Sequence, residues 1–455
     1  MRNYQILLIL TLLLLRGTLA FPQAYDLKGC IGMALENNQA IKKAEYDQQK
    51  SRLAGQEVLG ALLPQVSLSG NLNYTIQKNS FIMPNFLKEF LPEQMLGGQV
   101  QDYLTIEMGM NWSSSLGVTL NQQLLNFSLF SALDISRLAE NLSALGVESK
   151  QEEVVSQTAT LYYGIQVTSY VDHLFSKSLG ILDSLLQTME TNYVSGIVRK
   201  VDVDRLWVTR TNMETQEKSL RNAVEVQKNL LKLQMGVDVS LPLNLENEGL
   251  ADFEKILAEP VDFPFAPSTQ TAFKVLETQE EMLQLQRRSV LSASLPVLVA
   301  VASYNYNGVS EEFFRGETNY WYPYSFVGLN LKVPIFSGLT NSKKLKEADI
   351  ELLKVREDRR MLEQSLNMAY RNAVMKLEES RNSIYAQRDN MKLAEEVYRI
   401  TSASYAEGLA SLTDMLNANS SMIQAQMSYA DALSSYLKAL IDLKKAAGTI
   451  NTLSE

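Results

Sequence analysis

Apolar residues along the chain follow two periods, one helical and one typical of strands. The longest helical stretch runs from Leu339 to Glu407 without a glycine or proline, and its apolar residues recur at alternating spacings of three and four. That spacing is the seam of a coiled coil. A second long stretch runs from Phe127 to about Tyr193. Both predict helices far longer than the ~10–14 residues of an average globular helix.

Between the helical stretches, apolar and polar residues alternate, which indicates strands with one apolar face. One run begins at Val66 and another extends from Ile106 to Leu120, with a polar, proline-containing loop from Gln77 to about Asp102 between them. Each run has about ten residues or more, enough for a tilted strand to cross a bilayer. A soluble amphipathic hairpin would show the same pattern. Aromatic residues near the strand ends favour the membrane interface; they are Tyr74, Trp112, Tyr306 and Trp321.

The same order of patterns occurs twice, which predicts a duplicated unit of helix, strand, loop, strand, long helix, tight turn and helix. The first helix ends at Leu-Pro in both copies, and Tyr405-x-x-Gly408 corresponds to Tyr193-x-x-Gly196. The first repeat is predicted at 25–236, with a β-hairpin at about 65–122 and a coiled-coil hairpin at about 127–236. The second repeat is predicted at 269–448, with a β-hairpin at about 297–333 and a coiled-coil hairpin at about 339–448. An irregular connector at 237–268 joins the repeats, and a tail follows at 449–455.

The predicted fold class is therefore mixed, with long coiled-coil α-helices and transmembrane β-strands. Four membrane strands are too few to close a barrel, and open strand edges cannot face lipid. Each chain must then supply part of a shared barrel. A dimer would give eight strands, whose interior is filled by side chains, and a trimer would give twelve, which leave room for a channel. The small polar faces of the strands suit a wet lumen.

Composition excludes several classes of function. The formal net charge is −9 with a pI of about 5.1, which argues against a nucleic acid partner. The chain has one histidine, His173, and one cysteine, Cys30, so no disulfide framework exists and neither a metal site nor a cofactor site is predicted. No phosphate loop or nucleophile motif supports an enzyme.

The N-terminus predicts a secretory signal peptide at residues 1–24. Arg2 precedes an apolar run from Ile6 to Leu15, and cleavage is expected near residues 20–24. Leu27-Lys28-Gly29-Cys30 also invites a comparison with bacterial lipidation signals, but lysine is a poor residue there and Cys30 lies far beyond the apolar run. The alternative is a half-buried free cysteine on the first helix.

In its opening Leu27 to Asn38, its two Leu-Pro junctions and its turn Tyr405 to Leu416, the sequence resembles the TolC-like outer membrane factors. These are exit ducts of Gram-negative efflux and type I secretion systems. The resemblance covers nearly the whole mature chain, and the duplicated order of elements is more specific than any one motif. It implies a homotrimer with a 12-strand β-barrel in outer membrane lipid and an α-helical barrel reaching through the periplasm. The implied partners are a periplasmic adaptor, or membrane fusion protein, and an inner-membrane RND or ABC pump.

The resemblance also implies a gate at the periplasmic tips of the coiled coils. Tyr405 stands at the gate's tyrosine position and Asp414 at its first acidic position, whereas Ala410 replaces an arginine and Asn417 a second acid. The corresponding gate residues of the first repeat are Tyr193 and Asp202. Adaptor contacts are expected at Val194, Gly196, Gly408, Leu409 and Ser411.

Two interpretations of the gate residues stay open. Three Asp414 carboxylates meeting on an axis would repel one another, which raises their pKa values and attracts a cation. Alternatively, Asp414 and Asp202 are acids favoured at helix N-termini, and Tyr405 is ordinary coiled-coil packing. The predicted function is a passive export channel. The alternative is a non-channel periplasmic coiled-coil adaptor or structural protein, although adaptors usually have one hairpin and this chain has two.

Overall fold

The computed structural model describes residues 24–86, 102–246, 253, 255–257, 263–313 and 319–454. The predicted signal peptide lies almost wholly outside these residues, as do parts of the loop at 77–102 and of the connector. The chain divides into two compact units. We call Met1–Lys50, Asn141–Glu280 and Lys354–Glu455 the helical unit, and Ser51–Glu140 with Glu281–Leu353 the sheet unit.

Long helices make up most of the described chain, as the helical period predicts. Two of them have 68 and 67 residues, so each is about 100 Å long at ~1.5 Å per residue. The helices are α1 (Leu27–Asn37), α2 (Gln39–Gly60), α3 (Phe127–Val194), α4 (Lys200–Gln234), α5 (Thr271–Ser292), α6 (Thr340–Ala406) and α7 (Leu412–Ala447).

The first helix has the boundaries that its polar residues predict. Asp26 is the N-cap of α1, and its carboxylate accepts the Gly29 amide proton at 2.7 Å. Asn38 separates α1 from α2: its backbone has ψ 128°, and its side-chain oxygen accepts the Ala40 amide proton at 2.8 Å. Its side-chain nitrogen also donates to the Gln234 carbonyl at 2.7 Å, which ties this break to the end of α4.

The sheet unit contains a four-stranded antiparallel sheet, in the order β1-β4-β5-β6, and a separate two-stranded sheet of β2 and β3. β1 and β6 are the edges of the larger sheet. Its register places Tyr74 opposite Trp112, and Leu116 opposite Tyr306. The strands are β1 (Gln65–Tyr74), β2 (Asn79–Pro84), β3 (Tyr103–Met108), β4 (Trp112–Leu125), β5 (Val297–Ser310) and β6 (Tyr320–Lys332).

Two local predictions in the first hairpin were wrong. The predicted loop from Gln77 contains β2, and the single strand predicted across Ile106 to Leu120 is two strands, β3 and β4. The predicted strand is interrupted at Gly109, whose φ of +105° lies in a region that other residues rarely adopt. The apolar alternation continues in phase across this break, so the period could not reveal it.

Buried residues of the long helices repeat every seven positions, as the seams of coiled coils do. On α7 the repeat is Met415, Met422, Tyr429 and Tyr436, all of them buried. On α6 it is Leu377, Ile384 and Met391, followed by Tyr398 and Tyr405 packed against the same core. On α3 it is Phe175, Leu182 and Met189. Tyr405 and Met189 therefore continue the seams of their own helices to the end of the hairpins.

Candidate functional site

The two helical hairpins of the helical unit end in turns of the same construction. Gly196 has φ +75° after α3, and Gly408 has φ +74° after α6. The Ile197 amide donates to the Asn192 carbonyl, and the Leu409 amide donates to the Ser404 carbonyl, both at 2.8 Å. These are C-terminal helix caps that need a residue in the left-handed region, for which glycine has no Cβ penalty.

Asp414 belongs to a capping box at the start of α7. The Ser411 hydroxyl accepts the Asp414 amide proton at 3.1 Å. The Asp414 carboxylate in turn accepts from the Ser411 hydroxyl at 2.6 Å and from the Ser411 amide at 3.1 Å. These hydrogen bonds lower the pKa of Asp414. Within one chain, then, Asp414 has the helix-end role that was the alternative to a charged ring.

Asp202 forms two ion pairs within its own hairpin. Its carboxylate lies 3.1 Å from Nε of Arg199 and 3.6 Å from Nη1 of Arg205, and only 14% of its side chain is exposed. Arg205 also donates to the Thr413 hydroxyl at 3.4 Å, which links α4 to α7. Asp202 therefore takes part in a network that joins the two hairpins near their tips.

Tyr405 makes the contact that connects α6 to α3 at this end. Its hydroxyl donates to Sδ of Met189 at 3.0 Å, and its ring packs against the hydrophobic core. Burial, and secondarily the charge of Asp202, raises the pKa of Tyr405. Ala410 stands where an arginine was expected and has no polar side-chain atom. The Tyr405 hydroxyl donates to a thioether instead. The prediction from sequence missed Met189, although its seven-residue spacing from Leu182 places it on the same seam.

A cavity of about 570 Å³ opens beside this contact. Its lining is mainly apolar and includes Leu182, Met189, Ile197, Tyr405 and Met415. Asn417 lines a different, more open groove between α4 and α7, together with Asp204 and Ser420. The structure therefore does not bring Asn417 and Tyr405 to one cavity.

The ends of both hairpins expose large apolar side chains. Val194 is 87% exposed, Leu409 is 78% exposed, and Ile197 is 72% exposed. Ile197 was missed from the sequence, although it follows Gly196 as Leu409 follows Gly408. Tyr193 is also exposed. Ser411, by contrast, uses its hydroxyl within its own capping box.

The four predicted interface aromatics form contacts in the sheet unit. The rings of Tyr74 and Trp112 are 4.9 Å apart, and those of Tyr306 and Trp321 are stacked at 5.5 Å. Trp112 also meets Phe313 edge-on at 4.8 Å. Phe313 follows the end of β5, beyond the alternating pattern, so the strand period could not identify it.

Cys30 is completely buried rather than half-buried. It packs with Ala34, Ile41 and Leu231 in a hydrophobic cluster. Burial, with a smaller contribution from Asp26, raises the pKa of its thiol to about 12. A side chain enclosed within α1 does not fit the lipidated chain end that a Gly-Cys signal would produce.

Within the described ranges, no cluster of three or more histidine, cysteine or acidic side chains is placed to hold a metal ion. The same residues include no helix that combines the length and the apolar character needed to traverse a bilayer.

Comparison with known proteins gives one consistent result. The family described as outer membrane efflux protein matches residues 30–236 and 270–449. The outer membrane protein TolC of Escherichia coli K12 is 23% identical over 466 aligned positions, which cover 98% of this chain and 87% of TolC.

Solved structures with the same fold include two outer membrane channels. The Campylobacter jejuni CmeC channel has a TM-score of 0.70 at 16% identity, and the match covers 93% of this chain and 85% of the CmeC chain. The open state of the Neisseria gonorrhoeae MtrE channel has a TM-score of 0.66 at 17% identity, and the match covers 93% of this chain and 88% of the MtrE chain.

Proposed function

The chain belongs to the outer membrane efflux protein family, and from that premise we propose that three copies form one passive duct from the outer membrane into the periplasm. The resemblance to TolC-like outer membrane factors and the outer membrane location are thereby confirmed. The same match supports a channel over a non-channel periplasmic adaptor. In the proposed duct the sheets close a 12-strand β-barrel and the helices form an α-helical barrel.

The observation that carries the trimer is a sheet with one apolar face and two open edges. Val66, Leu68 and Leu72 of β1 are each at least half exposed on the apolar face. No described strand pairs with the outer edge of β1 or of β6. Unsatisfied backbone groups cost several kcal/mol each in hydrocarbon, so these edges must pair. Pairing β6 with β1 of the next copy removes both open edges of the four-stranded sheet, and three copies supply a barrel wide enough for a lumen.

The hairpin ends are the proposed contact surface for partners. Val194, Ile197 and Leu409 project from turns whose backbone is fixed by Gly196 and Gly408. Exposed apolar residues on a rigid support are typical of protein interaction sites. We assign this surface to a periplasmic adaptor that connects the duct to an inner-membrane RND or ABC pump.

The same ends form the proposed gate. The bond between Tyr405 and Met189 holds α6 against α3, and the Asp202 network holds α4 against α7. In the trimer, three Asp414 side chains would approach one another. Their repulsion would oppose the lowering of the pKa that Ser411 causes in one chain.

Conductance of the purified protein in a planar bilayer tests the duct and its gate. We expect a small, cation-selective conductance that increases in Asp414→Ala, because the substitution removes both the ring of charge and part of the cap. Ser411→Ala is the matched control, since it breaks the capping box but keeps the carboxylate.

An increase confined to Asp414→Ala supports the charged ring. An equal increase in both variants assigns the effect to the cap and removes the ring from the proposal. A protein that stays in the soluble periplasmic fraction, without trimers or conductance, contradicts the duct itself.

A further inference from the structure

The face of the four-stranded sheet opposite the apolar one carries polar rows that end in aromatic rings. Residues directly opposite in antiparallel strands point to the same face, and alternate residues of one strand do too. The register therefore assembles rows across β1, β4, β5 and β6. They are Asn73, Ser113, Val309 and Tyr320; Asn71, Ser115, Asn307 and Tyr322; Ser69, Gly117, Asn305 and Tyr324; and Ser67, Thr119, Ser303 and Phe326.

Side-chain contacts agree with this arrangement. The hydroxyls of Thr119 and Ser303 are 3.2 Å apart, and Nδ2 of Asn305 donates to the Ser303 hydroxyl at 2.9 Å. The rings of Tyr324 and Phe326, two residues apart on β6, have centroids 5.9 Å apart. We call the four β6 rings Tyr320, Tyr322, Tyr324 and Phe326 the aromatic column.

The aromatic column is distinct from the aromatics of the membrane interface. Tyr306 and Trp321 stack on each other on the opposite face of the sheet. The rings of the column are exposed to a similar extent, at 44% to 55%, but they lie on the other face, beside hydroxyl and amide groups. Rings at the interface meet lipid headgroups, whereas the column borders a surface of small, mostly hydrogen-bonding side chains.

We propose that the aromatic column and its polar rows bind the sugar rings of a glycan chain inside the barrel. This inference rests on the proposed function, because this face becomes a lumen only when three sheets close. The C–H face of a sugar ring stacks on an aromatic ring, while its hydroxyls exchange hydrogen bonds with serine, threonine and asparagine. Closure would also place β1 of the next copy beside β6, so polar residues would flank each column on both sides.

Length and charge favour a glycan over a flat drug or a charged peptide. Four rings at alternate positions of one strand extend about 20 Å, at ~3.3 Å per residue, which matches a chain of linked rings rather than one planar molecule. Among the described residues of the four rows none is charged, so the surface offers no counter-ion to a charged solute. Lys332 is the charged residue of β6, and it lies beyond the rows, opposite Val297.

Blocking of channel current by maltohexaose tests the proposal. The sugar is added to the extracellular side of the reconstituted protein, and the half-blocking concentration is measured. Removing two rings in the double variant Tyr322→Ser, Tyr324→Ser should raise that concentration roughly tenfold, a loss of about 1.4 kcal/mol of binding free energy, because two of the four stacking surfaces are lost. The Tyr322→Phe, Tyr324→Phe variant keeps the rings and should stay close to the wild type.

Tyr304→Ser is the matched control, because Tyr304 is a similarly exposed tyrosine on the opposite face of the sheet. It should leave the block unchanged. If the channel conducts but maltohexaose does not block it, glycan binding is overturned and the proposed duct is not. The same holds if maltohexaose blocks the double serine variant as well as it blocks the wild type. Block by a planar aromatic probe such as 4-nitrophenol, without block by the sugar, overturns the glycan class. A protein that forms no channel in any variant overturns the proposed duct, and the column with it.

Discussion

At the scale of single residues, Tyr405 and Asp414 differ in what surrounds their ionisable groups. Burial raises the pKa of Tyr405, so its hydroxyl remains a donor. The stability linked to this raised pKa is complete below the ordinary tyrosine pKa and is lost as pH rises through the folded-state value. Hydrogen bonds from Ser411 lower the pKa of Asp414. Its contribution is complete above the ordinary aspartate pKa and is lost as pH falls through the lower folded-state value.

The bond between Tyr405 and Met189 predicts a coupled pair. Tyr405→Phe removes the donor and Met189→Leu removes the acceptor, while both keep most of the apolar volume. A neutral hydrogen bond contributes about 0.5–1.5 kcal/mol, so either substitution should raise the open population about two- to tenfold, as measured by single-channel recording.

The double variant should open no more than either single variant, because both remove the same bond. Met391→Leu is the control, since Met391 is a buried methionine two heptads before Tyr405 on the same seam. Additive effects in the double variant would show that the two residues act separately and would remove this bond from the gate.

At the scale of elements, the hairpins depend on turns that only glycine forms without strain. Gly196 and Gly408 share nearly the same positive φ, and an added Cβ at either position would meet no neighbouring atom within 4 Å. The constraint is therefore the backbone conformation alone. It follows that the two turns should respond to substitution in the same way.

We predict that Gly408→Ala destabilises the protein by about 1–2 kcal/mol, because a left-handed backbone places Cβ near the following carbonyl oxygen. Thermal unfolding monitored by helical circular dichroism would measure the loss. Gly180→Ala is the matched control: Gly180 lies inside α3, where an added Cβ also meets nothing within 4 Å. There alanine should stabilise by about 0.5–1 kcal/mol. A stabilising Gly408→Ala would contradict the role assigned to the turn.

At the scale of the whole molecule, the sheet is incomplete without other copies of the chain. Its apolar face is exposed and its two edges lack partners among the described strands. The helices carry their own buried seams, so the strand edges impose the clearest need for assembly. The number of copies is therefore tested best at those edges.

Cysteine cross-linking between β1 and β6 should give a ladder that ends at the trimer. Each variant would carry one cysteine in β1, at Leu68 or Ser69, and one in β6, at Val327 or Gly328. The proteins would be oxidised in membranes and separated on denaturing gels. Background from Cys30 should be small because that thiol is buried. The Ser115→Cys, Asn307→Cys pair faces across β4 and β5 and should link only within one chain. A ladder that ends at the dimer would instead support a barrel of eight strands.

Features that depend on neighbours along the chain could be predicted from the sequence alone. The periods located the long helices, the Leu-Pro junctions and Gly196 and Gly408 marked their ends, and Asp26 predicted its cap, because these are local effects of backbone and side chain. The packing of distant segments, by contrast, paired Tyr405 with Met189, interrupted the predicted strand at Gly109 and aligned Tyr322 with Asn307. Each of these depends on how distant segments pack in register, and a period along one segment carries no information about its partner.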